Sequence, residues 1–171
     1  MTNITISDEC FSPDKYLYFN YSGPDPWAVV NHINDTARDF FHLGASDWCF
    51  ERLNWDISGD PIDFWALFSA RVEVSGHTKI MIYIRVQGKT SKTTNKGNFT
   101  MRLHALVNSE FEGYRVVLKP LWYIYSYLFF NNVRRSYLRR CQTLVMAFRD
   151  EIKRYYNMNV YERSEKEGAY G

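Results

Sequence analysis

Three successive segments of this chain alternate with a period of two, and that alternation restricts the fold more than any other property. Phe64, Ala66, Phe68, Ala70, Val72 and Val74 are all apolar, while Trp65, Leu67, Ser69, Arg71 and Glu73 between them grow more polar. Ile80, Ile82, Ile84 and Val86 repeat the pattern, and so do Phe99, Met101, Leu103, Ala105 and Val107. Successive side chains of a strand point to opposite faces, so each run describes a strand with one buried and one wetter face. Turn formers at Ser58-Gly59-Asp60-Pro61, Ser75-Gly76-His77 and Glu112-Gly113 separate the runs, as in an antiparallel meander. Residues 48–57 read as a weaker strand, 114–118 as a short one and 16–21 (YLYFNY) as an aromatic one. The polar stretch 87–98 (QGKTSKTTNKGN) reads as a long hairpin tip.

On either side of this region the period lengthens to that of a helix. Trp27, Val30, Ile33, Ala37, Phe40 and Phe41 recur at three- and four-residue spacing, with Asn31, Asp35, Arg38 and Asp39 largely opposite. Asp25 is the expected N-cap, Pro26 the expected first helical residue and Gly44 the expected stop. A second helix is expected from Pro120 to about Tyr156, with the stripe Leu138, Cys141, Val145, Phe148, Ile152 and Tyr155. Its first part, LWYIYSYLFF, is apolar on every side and must be surrounded. At ten residues it is about half the length that crosses a bilayer. The expected class is therefore α+β: a curved antiparallel sheet wrapped around a long C-terminal helix, with one N-terminal amphipathic helix. Of 171 residues, 15–157 form one domain in this reading, 1–14 a flexible polar arm and 158–171 a disordered polar tail.

Charge and cysteine bound the setting. The net charge of +2 conceals a split: eleven acidic and three basic residues precede position 64, and eight acidic and eighteen basic follow. The two halves must pair internally or attract something of opposite sign. Cys10, Cys49 and Cys141 lie far apart without metal-ligand spacing, which suits small apolar residues in a reducing cytoplasm. The N-terminus lacks the basic and apolar regions of a signal peptide. Four N-x-S/T matches, at Asn3, Asn20, Asn34 and Asn98, mean little in that setting.

No catalytic signature emerges. Gly88-Lys89-Thr90 imitates the end of a phosphate-binding loop, but Tyr83 stands where that motif needs glycine, inside a strand. His32, His42, His77 and His104 have no second ligand at metal spacing, so no metal or cofactor is expected. Asp56, Asp60 and Asp63 surround a tight turn and read as turn formers rather than a cation site. His104 is the best acid–base candidate, yet it shares the polar side of its strand with Thr100 and Arg102, as Tyr83 and Arg85 do on theirs. Arg134, Arg135, Arg139 and Arg140 spread over a broad helical arc suited to phosphate or carboxylate groups. A near-neutral domain disfavours nucleic acid as the partner.

YLYFNY, then DPWAVVNHINDTARDFFHLG, the alternating strands and a closing helix from Pro120 follow one another in an order that resembles the helix-grip fold of the START-like (SRPBCC) superfamily. The resemblance spans about residues 14–157 and rests on architecture rather than a motif. It implies a cavity between sheet and C-terminal helix that holds an apolar ligand. Phe64, Phe68, Ile82, Ile84, Met101 and Leu103 would then face Trp122, Tyr125, Phe129 and Tyr137 across the interior. Aromatic residues make up 18% of the chain, and such walls suit a planar or lipid-like molecule. The expected function is a non-catalytic binding protein for an apolar, aromatic or lipid-like small molecule. The alternative is an interaction module whose aromatic and arginine-rich helix docks on a protein partner, a second copy or a membrane surface.

Overall fold

The computed structural model describes residues 4–111 and 131–158. Strands β1 (Ile4–Glu9) and β2 (Leu17–Pro24) precede helix α1 (Ala28–Phe40). Then come β3 (Trp48–Asp56), β4 (Ile62–Ser75), β5 (Thr78–Thr90) and β6 (Lys96–Phe111), and finally helix α2 (Asn131–Tyr155). All pairings are antiparallel, in the order β1-β6-β5-β4-β3, with β2 also on β6. The chain is therefore α+β: a six-stranded antiparallel sheet with an N-terminal and a C-terminal helix. The strand expected at 114–118, the start of the second helix at Pro120 and the tail beyond 158 lie outside the described residues.

The alternating runs become β4, β5 and β6, and their apolar sets form the inner face. Cross-strand rows such as Phe68–Ile84–Leu103 and Ala66–Val86–Met101 are at most 0% exposed. The row Phe64–Gly88–Phe99 explains a glycine in mid-strand. A Cβ on Gly88 would lie 2.5 Å from Cζ of Phe64 and 2.7 Å from Cβ of Phe99, so the two rings occupy the missing side chain's place.

Both helices lay their apolar stripes on this face. From α1 come Val29, Val30, Ile33 and Ala37, and from α2 Cys141, Val145, Phe148 and Ile152, all buried. Phe40 and Phe41 meet Phe148 at ring distances of 5.3 and 4.8 Å, locking the helices together. The stripe ends one residue differently from expectation. Tyr155 is exposed and stacks on His32 at 3.9 Å, while Tyr156 turns in against Tyr21 at 4.1 Å and donates its hydroxyl to the Asp25 carbonyl at 3.1 Å.

Helix ends depart from the sequence expectation too. Asp25 does not cap α1 with its side chain; it takes a left-handed conformation (φ 45°) and donates its backbone N–H to the Asn95 carbonyl. The stop falls at His42 (φ 54°), before Gly44, where His42 and Leu43 N–H bond back to the Asp39 and Arg38 carbonyls.

Within the stretch 1–14, expected from its polarity to be a loose arm, residues 4–9 form a paired strand. β1 pairs with the last third of β6, and β2 pairs with its first half, end to end along one edge. Beyond β1, Cys10 is bonded to Cys141 of α2 across 131 residues of sequence, with both residues buried. This corrects the reading of three free thiols: spacing in sequence says nothing about two cysteines that a sheet edge and a helix bring together. Cys49 is free and exposed. The Gln142 side chain donates to the Cys10 carbonyl at 2.6 Å, and Arg134 forms a two-pronged ion pair with Asp8. The charge split is thus partly resolved inside the molecule, since Asp8–Arg134 and Asp63–Lys89 each join the acidic first third to the basic remainder.

Candidate functional site

Six of the residues expected to line a cavity are core. Phe64, Phe68, Ile82, Ile84, Met101 and Leu103 are 0–2% exposed and belong to one cluster with the helix stripes. Tyr137 is half-buried against that cluster. Trp122, Tyr125 and Phe129 lie outside the described residues. Of the four arginines, Arg135, Arg139 and Arg140 are exposed, whereas Arg134 is committed to Asp8 and its guanidinium is held protonated by that pair.

Two concave features lie instead on the sheet's other surface, where register lines up the non-core members of each alternating strand. One row runs Tyr18–Arg102–Arg85–Leu67–Arg52 across β2, β6, β5, β4 and β3. Beside it runs Asn20–Thr100–Gln87–Trp65–Asn54, followed by Ser22–Asn98–Lys89–Asp63–Asp56. A groove of about 670 Å³ follows the last two rows across β6, β5, β4 and β3, and Trp55, Phe64 and Gly88 of the inner-facing row also contribute to its lining. A smaller hollow of about 160 Å³ adjoins it over Tyr18, Arg85, Gln87, Thr100 and Arg102, sharing Gln87 and Thr100.

Each wall follows from local structure. β3 is an edge strand with a bulge at Phe50/Arg52, and its Phe50, Leu53 and Trp55 are 39–44% exposed although they belong to the inner side. Trp55 is held edge-on by Trp27 at 4.0 Å. Asp56 accepts hydrogen bonds from the Ser58 amide (3.0 Å) and hydroxyl (2.6 Å), which hold its carboxyl below the usual range and keep it ionised at the groove's lip. Asp63 pairs with Lys89 at 3.3 Å, and Asp60 accepts from the Lys92 amide at 3.0 Å. The three aspartates thus act as turn and pairing groups, as their spacing suggested. Thr100 donates to the Asn20 amide oxygen at 2.8 Å, fixing that side chain at the row's end.

Further along the same face, His104 Nε2 lies 2.8 Å from a Glu9 carboxylate oxygen, with Tyr16 edge-on at 5.1 Å and Tyr83 stacked at 6.0 Å. His104 therefore stands on the polar side, as its strand position suggested. Among the described residues no three His, Cys, Asp or Glu side chains gather as a metal group would require, and no helix is long and apolar enough to cross a membrane.

Arg85, Arg102, Trp65, Gln87 and Asn54 were not singled out from sequence as site residues. They are the non-core members of the alternating runs, and reading those members across strands needs the register.

No protein-family model matches the chain, and no curated protein matches it. Among solved structures, it is similar to a putative uncharacterized protein from Rhizobium leguminosarum at 11% identity and a TM-score of 0.21, over 71% of this chain and 90% of that one. It is also similar to a protein from Rhizobium loti at 12% identity and a TM-score of 0.22, over 86% and 99%. At those scores neither likeness bears on this chain's work.

Proposed function

We propose that this is a non-catalytic binding protein for a small aromatic or apolar molecule, built on a sheet-and-helix frame of helix-grip type. The observation that carries the reading is the groove of about 670 Å³, where the indole of Trp65 stands with Asn54, Gln87, Asn98 and Thr100. Apolar walls with a few placed amides and hydroxyls suit a compact planar ligand. The described space between the inner face and α2 is taken up by side chains, so the groove is the better seat. A cytoplasmic location loses its premise with the Cys10–Cys141 bond, because it rested on free thiols. Native mass spectrometry of the freshly purified protein tests the function. Retained mass that Trp65→Ala releases supports it; a bare chain whose tryptophan emission also ignores a panel of aromatic compounds rejects it.

A second reading rests on a different observation. Arg135, Arg139 and Arg140 are exposed and, among the described residues, have no carboxylate partner. Three unneutralised guanidiniums on one helix complement an anionic membrane surface. Reversing them to glutamate should abolish sedimentation with anionic liposomes, and unchanged sedimentation would remove this reading.

A further inference from the structure

Arg85 and Arg102 lie directly opposite each other on β5 and β6, an arrangement that is unfavourable for like charges. Among the described residues no carboxylate contacts either one. Each rests on an aromatic face instead, Arg85 over Trp65 at 5.0 Å and Arg102 over Tyr16 at 4.4 Å. Beside the hollow, Nε of Arg85 and Nε1 of Trp65 are enclosed and, among the described residues, have no hydrogen-bond partner. Both are obligate donors, and enclosed donors without acceptors are rare because leaving one unmatched is costly. The hollow of about 160 Å³ lies over Tyr18, Arg85 and Arg102 and adjoins the larger groove, with which it shares Gln87 and Thr100.

We infer that this hollow binds an oxyanion, the carboxylate or phosphate of a small aromatic acid whose ring lies in the adjoining groove against Trp65. An oxyanion supplies what the site lacks: charge to relieve the Arg85–Arg102 opposition and acceptor atoms for the guanidinium donors that face the hollow. The inference rests on the binding reading proposed above and sharpens it by giving the ligand an acidic end. The hollow takes the head, and the groove beside Trp65 takes the ring.

Phenyl phosphate, benzoate, inorganic phosphate and benzyl alcohol are titrated against the full chain, following tryptophan emission and thermal melting. The expected result is saturable binding of phenyl phosphate or benzoate, at least about tenfold tighter than benzyl alcohol, with a rise in melting temperature. Arg85→Gln/Arg102→Gln should weaken the acid by about tenfold or more and leave benzyl alcohol unchanged. Arg85→Lys/Arg102→Lys, which keeps the charge but loses the planar fork, should fall between the two and serves if the glutamine variant does not fold. Equal binding of acid and alcohol by the wild type, or arginine variants that bind the acid normally, overturns the inference while leaving aromatic binding standing. Arginine-dependent binding of inorganic phosphate with no binding of benzyl alcohol supports the oxyanion site and removes the aromatic reading. Silence from all four probes removes both. A single-stranded oligothymidylate that binds far more tightly than phenyl phosphate overturns the assignment to a small acid.

Discussion

Phe68, Ile84 and Leu103 lie side by side on the inner face of the sheet; one residue away on each strand, Leu67, Arg85 and Arg102 lie side by side on the outer face. The first row is fully buried under the helices. The second is half-exposed, carries two facing guanidiniums and adjoins a groove. The same backbone, pleat and register serve both rows, so the difference is one of side-chain chemistry alone. Folding can be driven by one face and recognition left to the other, because a period of two lets neighbouring residues answer to different demands.

Breaking the inner face should produce the largest effect. Phe68→Ala removes a fully buried ring and should cost about 3–5 kcal/mol in urea unfolding. A cost below about 1 kcal/mol would show that this row is not the core. Next comes the link between the sheet edge and α2. Cys141→Ser opens a loop that spans 131 residues and should cost about 2–5 kcal/mol. Comparing melts with and without reductant, together with thiol counts under denaturing conditions, checks it.

A smaller effect is expected from pH. His32, on α1, stacks on Tyr155 with an Nε2 that is enclosed and, among the described residues, unpartnered, and burial lowers its pKa below the ordinary 6.5, against the opposing pull of Glu151 and Asp35. Between the lowered value and 6.5 the unfolded chain binds more protons than the folded one. Stability attributable to His32 is therefore complete above 6.5 and declines as pH falls. His32→Gln should flatten that part of a melting-temperature profile, and an unchanged slope would assign the dependence elsewhere. Least of all, Arg102→Gln on the outer face should change stability by no more than about 1 kcal/mol, in either direction. A loss as large as that of Phe68→Ala would erase the contrast between the faces.

Much of the frame was legible in the sequence because periodicity reports burial directly. The alternating sets at 64–74, 80–86 and 99–107 became β4, β5 and β6, and the stripes from Val30 and Cys141 became the buried sides of the helices. What was not legible depends on distance along the chain. Nothing local tells that β1 will find the far end of β6, because it is six residues long and only Ile4 and Ile6 among them are apolar. The Cys10–Cys141 bond and the Asp8–Arg134 pair follow from that docking and were equally hidden. The groove was hidden for another reason: Arg85 and Arg102 each look like an ordinary solvent-facing residue until register sets them opposite one another. The sequence reading expected a ligand seat on the sheet's apolar side; of the residues named for it, Phe64, Phe68, Ile82, Ile84, Met101 and Leu103 are buried core, and Trp122, Tyr125 and Phe129 lie outside the described residues.

β6 is 16 residues long and serves as a splint, with β1 and β2 laid end to end on one side and β5 along the other. Ile4 pairs with Phe111 and Leu17 with Leu103, so β1 has no place to dock until about 100 further residues have been synthesised, and β2 none until about 80. At roughly 5–20 residues per second, the first strand of a nascent chain waits about 5–20 s with its edges bare. The polarity that made residues 4–9 look unstructured is what keeps them harmless through that interval.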